Sequence, residues 1–100
     1  DVHQGDGTAS TLSDETSIHT TSFHCSENFP FRKSASDCDV SFESGTTDSE
    51  FQPVFESTVL NVLETEKPNL VFYDAGVDMF EGDVLGKMNL SMAGLMKRDL

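Results

Sequence analysis

Basic residues are scarce in this sequence of 100 residues: 6 stand against 18 acidic ones, for a formal net charge of −12. Such a surface repels phosphates rather than neutralising them, which argues against direct binding to a nucleic-acid backbone. It attracts a basic peptide instead, such as a lysine-bearing tail. Cysteine is equally sparse. Cys25 and Cys38 form no CxxC pair and no framework of bridges, so the default reading is a pair of reduced thiols in an intracellular protein. No apolar run approaches the ~20 residues of a membrane-spanning helix, and no signal peptide is visible. Internal repeats, a GxSxG nucleophile elbow and a glycine-rich phosphate loop are also missing. The length allows at most one small domain.

What is present alternates between loop chemistry and apolar segments. Asp1-Val2-His3 reads as the end of a strand, and Gln4-Gly5-Asp6-Gly7-Thr8 as a loop in which two glycines permit turns. A short helix is expected from Thr8 to Leu12, then a turn at Ser13-Asp14-Glu15. Ile18 to His24 is β-branched and aromatic between polar flanks, which suggests a buried strand. Ser26 to Asp39 reads as an irregular loop, and Val40-Ser41-Phe42 as a short edge strand.

The clearest periodicity follows. Ser49-Glu50-Phe51-Gln52 has the form of a capping box, with Ser49 as N-cap and Gln52 three residues on. Phe51, Phe55, Val59, Val62 and Leu63 then mark one face of a helix, widened by Val54 and Leu60. Pro53 falls in or just after the first turn, and Pro68 disfavours helical geometry at Lys67. Leu70-Val71-Phe72-Tyr73 is a continuous apolar run, as in a parallel strand buried on both faces. Helix, short link and buried strand together predict half of a βαβ unit. Ser91 is placed to cap a last helix through Met92, Leu95, Met96 and Leu100. Asp1 opens directly in a dense motif and Lys97 to Leu100 run off the end of this helix, so the sequence reads as a segment cut from a longer chain.

Asp1 and His3 are two residues apart, and at the end of a strand their side chains share a face. A carboxylate and an imidazole there suit one zinc ion. Asp78, beyond the expected strand, offers a third donor, at the sheet edge where open parallel sheets bind ligands. One histidine and two carboxylates with an open position make a catalytic type of zinc site. Spacing alone does not bring residues 1–3 and 78 together, and capping a turn is the ordinary role of such an aspartate. His19 reads as solvated. His24 stands near the same edge and is a candidate support for the site. Cys25 reads as a small apolar filler.

Two segments, in order, resemble the histone deacetylase family. Asp1-Val2-His3-Gln4-Gly5-Asp6-Gly7-Thr8 is similar to the family's Asp-x-His-x-Gly-Asn/Asp-Gly-Thr stretch. Pro68 to Asp78, continued by Glu81-Gly82-Asp83 and Leu85-Gly86, is similar to its strand and loop bearing the last metal ligand. Gln4, Asn28-Phe29-Pro30-Phe31-Arg32-Lys33 and Leu90 to Asp99 look like the class IV branch. Asp74 departs from that branch, where Asn is frequent.

The resemblance implies an α/β fold of the arginase/deacetylase type, with a mostly parallel central sheet flanked by helices, of which residues 1–100 form part of the catalytic domain. It implies that Asp1, His3 and Asp78 ligate zinc, which polarises an acetyl-lysine carbonyl and activates water. Asp6 matches the carboxylate partner of a catalytic histidine, and Phe29 a wall of the acyl tunnel. Ser22, with backbone oxygens of Asp1, His3 and Phe23, matches a potassium site. The expected partners are an acetylated lysine peptide or histone tail and corepressor-type proteins, in nucleus or cytoplasm, with no nucleic acid or membrane. The family's paired catalytic histidines lie before the position of Asp1 and its carbonyl-binding tyrosine after that of Leu100. The expectation is therefore weak zinc affinity and little or no deacetylase activity from these residues alone. Alternatives are a long-chain lysine deacylase, a deacetylase of polyamines or other small molecules, and a non-catalytic interaction protein.

Overall fold

Parallel pairing of two strands requires a crossover of about a dozen residues, and the segment 26–37 supplies it between β1 (Thr21–Cys25) and β2 (Cys38–Phe42). A computed structural model describes residues 1–100. In it the two strands pair in parallel, from Thr21 opposite Cys38 to Cys25 opposite Phe42. The crossover contains no helix and a cis Phe29–Pro30 bond. It is tied down by Asn28, whose Nδ2 donates to the Leu85 carbonyl at 2.9 Å while its Oδ1 accepts from the Lys87 amide at 3.1 Å. Three helices complete the α/β arrangement: α1 (Asp6–Thr11), α2 (Asp48–Glu66) and α3 (Met92–Asp99).

The core lies where the sheet, the first turns of α2 and the segment 79–95 meet. Val2, Cys25, Phe42, Phe51, Met79, Met88, Leu90 and Leu95 are buried together. Phe51 is its largest fully enclosed side chain: its ring centroid is 4.9 Å from that of Phe42 and 5.3 Å from that of Phe55, which in turn lies 4.8 Å from Phe23. Each such side chain removed from water contributes roughly 1.5–3 kcal/mol. Cys25 is fully buried among apolar neighbours, as expected of a filler.

Local signals placed the helix ends closely but not perfectly. Ser91 caps α3 as expected, its hydroxyl accepting from the Gly94 amide at 3.0 Å. Chain reversal after α2 also matches: Lys67 takes the left-handed conformation (φ 47°) immediately before Pro68. The N-terminus of α2 differs. Thr47 is the N-cap, and Glu50 Oε2 accepts from the Thr47 amide at 2.8 Å and its hydroxyl at 2.9 Å. A carboxylate accepts more strongly than the Gln52 amide, and Gln52 is engaged elsewhere, donating to the Gly94 carbonyl at 2.7 Å. Pro53 consequently sits in the second turn of α2. Only the start of the expected apolar face is covered: Phe51 is buried, whereas Leu60 and Leu63 stay exposed. Helix α1 begins at Asp6, two residues ahead of the expected Thr8. β1 covers only the second half of the Ile18–His24 run, and β2 begins two residues before Val40.

One element is absent. Leu70-Val71-Phe72-Tyr73 forms no strand, and all four side chains are exposed, Phe72 at 89%. A strand exists only through the ladder it shares with a neighbour, because its backbone polar groups need partners. β1 and β2 pair with each other, and neither borders this run. The compact path that follows is held instead by parallel bridges, Phe80 with Leu90 and Thr47 with Asn89.

Candidate metal centre

The first three residues are placed by β1. The Cys25 amide donates to the Val2 carbonyl at 2.9 Å, extending the ladder of the sheet to the segment that carries Asp1 and His3. Val2 is fully buried. Its amide donates to Asp78 Oδ1 at 2.7 Å, so the buried residue between the two candidate ligands also fixes the third. Asp78 Oδ2 is then free to face His3 Nδ1 at 2.9 Å, and Asp1 Oδ1 faces the same nitrogen at 3.0 Å. One ligand atom from each of the three residues lies within 4.8 Å of the other two, and no other trio of His, Cys, Asp or Glu in the chain converges in this way.

Two glycines make the approach possible. A Cβ on Gly76 would lie 2.6 Å from Asp1 Oδ2 and 2.8 Å from Asp1 Cα. A Cβ on Gly86 would lie 1.9 Å from the Asp78 carbonyl oxygen. Any larger residue at either position forces backbone movement at a candidate ligand. Asp83 organises the second of these contacts. Its Oδ1 accepts the amides of Gly86 at 2.6 Å and Leu85 at 2.9 Å, and these two bonds, Gly86 first, hold its carboxyl below the usual aspartate range.

Gln4 anchors the other side. It is buried, and its Nε2 donates to the Ser34 carbonyl at 2.6 Å and to Asp39 Oδ1 at 2.9 Å. Burial alone would raise the Asp39 carboxyl, but hydrogen bonds from Ser36 and Gln4 outweigh it and leave the group below its ordinary value. Asp6, the first residue of α1, is half-buried. Ser22 Oγ accepts from the Gly5 amide at 3.3 Å and lies 3.1 Å from His24 Nδ1. His24 is buried, and burial pushes its imidazole below the usual histidine range. Ser22 and His24 thus stand behind the Asp1–Gly5 segment without touching the convergent trio. Phe29 is exposed in the crossover loop, edge-on to Phe31 with ring centroids 6.1 Å apart.

The reading of His19 as solvated is not met. Its Nδ1 lies 3.6 Å from Glu66 Oε1, and its Nε2 is enclosed without a hydrogen-bond partner. It borders a polar cavity of about 600 Å³, also lined by Asp37, Glu66 and Pro68, that includes none of the trio. Gly76 and Gly86 stood in the segments quoted around Asp78 but were given no role, and Arg98 was not singled out from the sequence. The density of glycines around Asp78 was the available signal for the first two.

The trio supplies one imidazole nitrogen and two carboxylate oxygens, the donor set of a catalytic zinc site with an open position. The separations of 2.9 and 3.0 Å from His3 Nδ1 fall below the roughly 4 Å that two ligands of one zinc ion can span. The donor set therefore fits the ion.

Comparison with known proteins bears on the family of the chain. The family model for the histone deacetylase domain matches residues 1–99. An uncharacterized protein of Picosynechococcus sp. is 43% identical over 99 residues, which are 99% of this chain and 33% of that protein. Histone deacetylase 2 of Arabidopsis thaliana is 32% identical over 102 residues, 99% of this chain and 26% of the relative. Histone deacetylase RPD3 of Saccharomyces cerevisiae is 32% identical over 105 residues, 94% of this chain and 24% of the relative. The chain thus spans a third or less of the length of these relatives.

Proposed function

The chain belongs to the histone deacetylase family, and from that premise we propose that it carries the metal-holding part of a zinc-dependent lysine deacetylase. The observation that supports the reading is the convergence of Asp1, His3 and Asp78, held by the bond from Val2 to Asp78 across a sequence separation of 76 residues. These three side chains would hold the ion. When bound, zinc supplies polarisation of the acyl carbonyl and of the attacking water. The products would be lysine and acetate. The carboxylate of Asp6 would orient a catalytic histidine, and Phe29 would form one wall of the acyl channel. Ser22, with backbone oxygens of Asp1, His3 and Phe23, would hold a potassium ion behind the zinc ligands.

The substrate in this reading is an acetylated lysine peptide of the histone-tail type, drawn to the acidic surface. Corepressor-type proteins would be the partners, in nucleus or cytoplasm. Acyl transfer to water needs a general base and an oxyanion donor as well as the metal. In this reading those two groups come from outside residues 1–100, so this stretch alone is inactive. The test uses the whole protein and two substrates. It should release acetate from an acetyl-lysine peptide, and His3→Ala and Asp78→Ala should each abolish both release and zinc uptake. Preference for a long-acyl peptide would redirect the reading to a deacylase of the same family. Full turnover by His3→Ala would overturn it.

A further inference from the structure

A guanidinium is costly to bury unless its donors find partners, and Arg98 is buried, its side chain only 2% exposed. Its neighbour Asp99 accepts from Nε at 2.7 Å and from Nη2 at 3.1 Å, a two-point pairing. That pairing involves the adjacent residue and does not explain why the group lies inside. The remaining contacts do. Nη2 donates to the Gly76 carbonyl at 2.8 Å, and Nη1 reaches Met79 Sδ at 3.6 Å. Arg98 therefore bridges Gly76 and Met79, the residues on either side of Val77-Asp78.

We propose that Arg98 is the positioning residue of the metal centre: its guanidinium locks the segment 76–79, and with it the carboxylates of both Asp1 and Asp78. The inference rests on the zinc-site reading above and adds to it a residue on α3, remote from the ligands in sequence. Gly76 is the pivot. It carries the carbonyl that Arg98 holds, and it packs so closely on Asp1 that a Cβ would meet Asp1 Cα at 2.8 Å. Asp78 follows two residues later and accepts the Val2 amide. A shift of the Gly76 carbonyl therefore moves one ligand directly and the other through the backbone.

Further contacts orient the guanidinium. Tyr73 donates its hydroxyl to Asp99 Oδ1 at 2.7 Å, from the chain just ahead of the loop. α3 itself is docked on α2 through Asp48, which accepts from the Ser91 amide at 2.9 Å and from its hydroxyl. Gln52 donates to the Gly94 carbonyl. Arg98 thus transmits the docking of α3 to the ligands. Lysine at this position has a point charge in place of a planar fork and would keep only one of the contacts.

The experiment compares the whole wild-type protein with its Arg98→Met and Arg98→Lys variants. Two quantities are measured: Co²⁺ affinity by titration, with the visible band as the coordination signature, and amide hydrogen exchange along the chain. Arg98→Met should bind Co²⁺ about tenfold or more weakly, the scale seen when partners that orient metal ligands are removed. The amides of Phe80 and Leu90, which donate to the Val77 and Met79 carbonyls, should exchange faster, while the amides of α2 keep their protection. Arg98→Lys should recover part of the affinity. If Arg98→Met does not fold, Arg98→Lys and Tyr73→Phe carry the same comparison. Unchanged affinity in a folded variant overturns the inference, and so does faster exchange spread evenly over α2. If the whole wild-type protein takes up no Co²⁺, the zinc reading fails, and the exchange pattern alone decides whether Arg98 locks the loop.

Discussion

The side-chain amide of Gln4 grips Ser34 from both sides, Nε2 donating to the Ser34 carbonyl at 2.6 Å and Oε1 accepting the Ser34 amide at 2.9 Å. This pairing joins the segment that carries the candidate ligands to the crossover between β1 and β2. Gln4→Ala leaves the two Ser34 backbone groups without this partner and removes one of the hydrogen bonds to the Asp39 carboxylate. The expected loss of unfolding free energy is roughly 1–3 kcal/mol, the penalty for buried polar groups left unpaired. Urea denaturation measures it, and a change within experimental error would mean that water replaces the amide.

Gly94 is a second fixed point. A Cβ there would lie 2.0 Å from Asp48 Oδ1. Gly94→Ala should therefore loosen the docking of α3 on α2, at about 1–3 kcal/mol as for other overpacked sites. The double variant Gly94→Ala, Asp48→Ala removes the clash together with the carboxylate. Its loss should be smaller than the sum of the two single losses, which a double-mutant cycle reads directly. Strict additivity would show that the two residues act independently.

The acid side of the stability profile carries the imprint of His24. Burial lowers its pKa in the fold below the unfolded value of 6.5. As pH falls through 6.5 the unfolded chain takes up this proton first, and stability falls with it. The contribution is complete above 6.5 and is lost progressively down to the folded pKa. His24→Gln should flatten this part of the profile relative to wild type. Identical slopes in thermal melts from pH 7 to pH 5 would count against a buried neutral His24.

At the metal centre, Gly86→Ala should lower zinc affinity more than it lowers stability, by about tenfold or more in affinity, because its Cβ would displace the Asp78 carbonyl, only 1.9 Å away. Calorimetric titration alongside thermal denaturation separates the two effects. Equal affinity for Gly86→Ala and wild type would show that Asp78 is held by its side chain alone.

Much of the fold was legible where the signal is local. Ser91 as a cap and Pro68 as a stop depend on the few residues around them, and both appear as read. The α/β class came from the resemblance, because the helix-to-strand unit read at Leu70–Tyr73 does not form. Leu70–Tyr73 was not legible as what it is, because a strand is a relation between neighbours and an apolar run encodes only the propensity. Thr47 displaced Ser49 as cap because Thr47-Asp48-Ser49-Glu50 is the stronger capping box, which the sequence does carry, while the bond of Gln52 across to α3 is one that no short window shows. The trio was found through the resemblance of the segments around Asp1, His3 and Asp78, not through their spacing. Arg98 escaped notice because a basic residue in the last turn of a helix usually faces water and complements the helix dipole.

The bond from the Val2 amide to Asp78 closes a loop of 76 residues in sequence. Its formation requires nearly the whole chain to be in place, since loop closure must be offset by everything packed inside it. An ion held by Asp1, His3 and Asp78 would act as a clasp on that same loop. Folding and metal uptake then become one equilibrium, and the melting temperature becomes a gauge of free zinc. At an ion concentration a hundred times the dissociation constant, the clasp adds about 2.7 kcal/mol, a large share of what holds a domain of this size together.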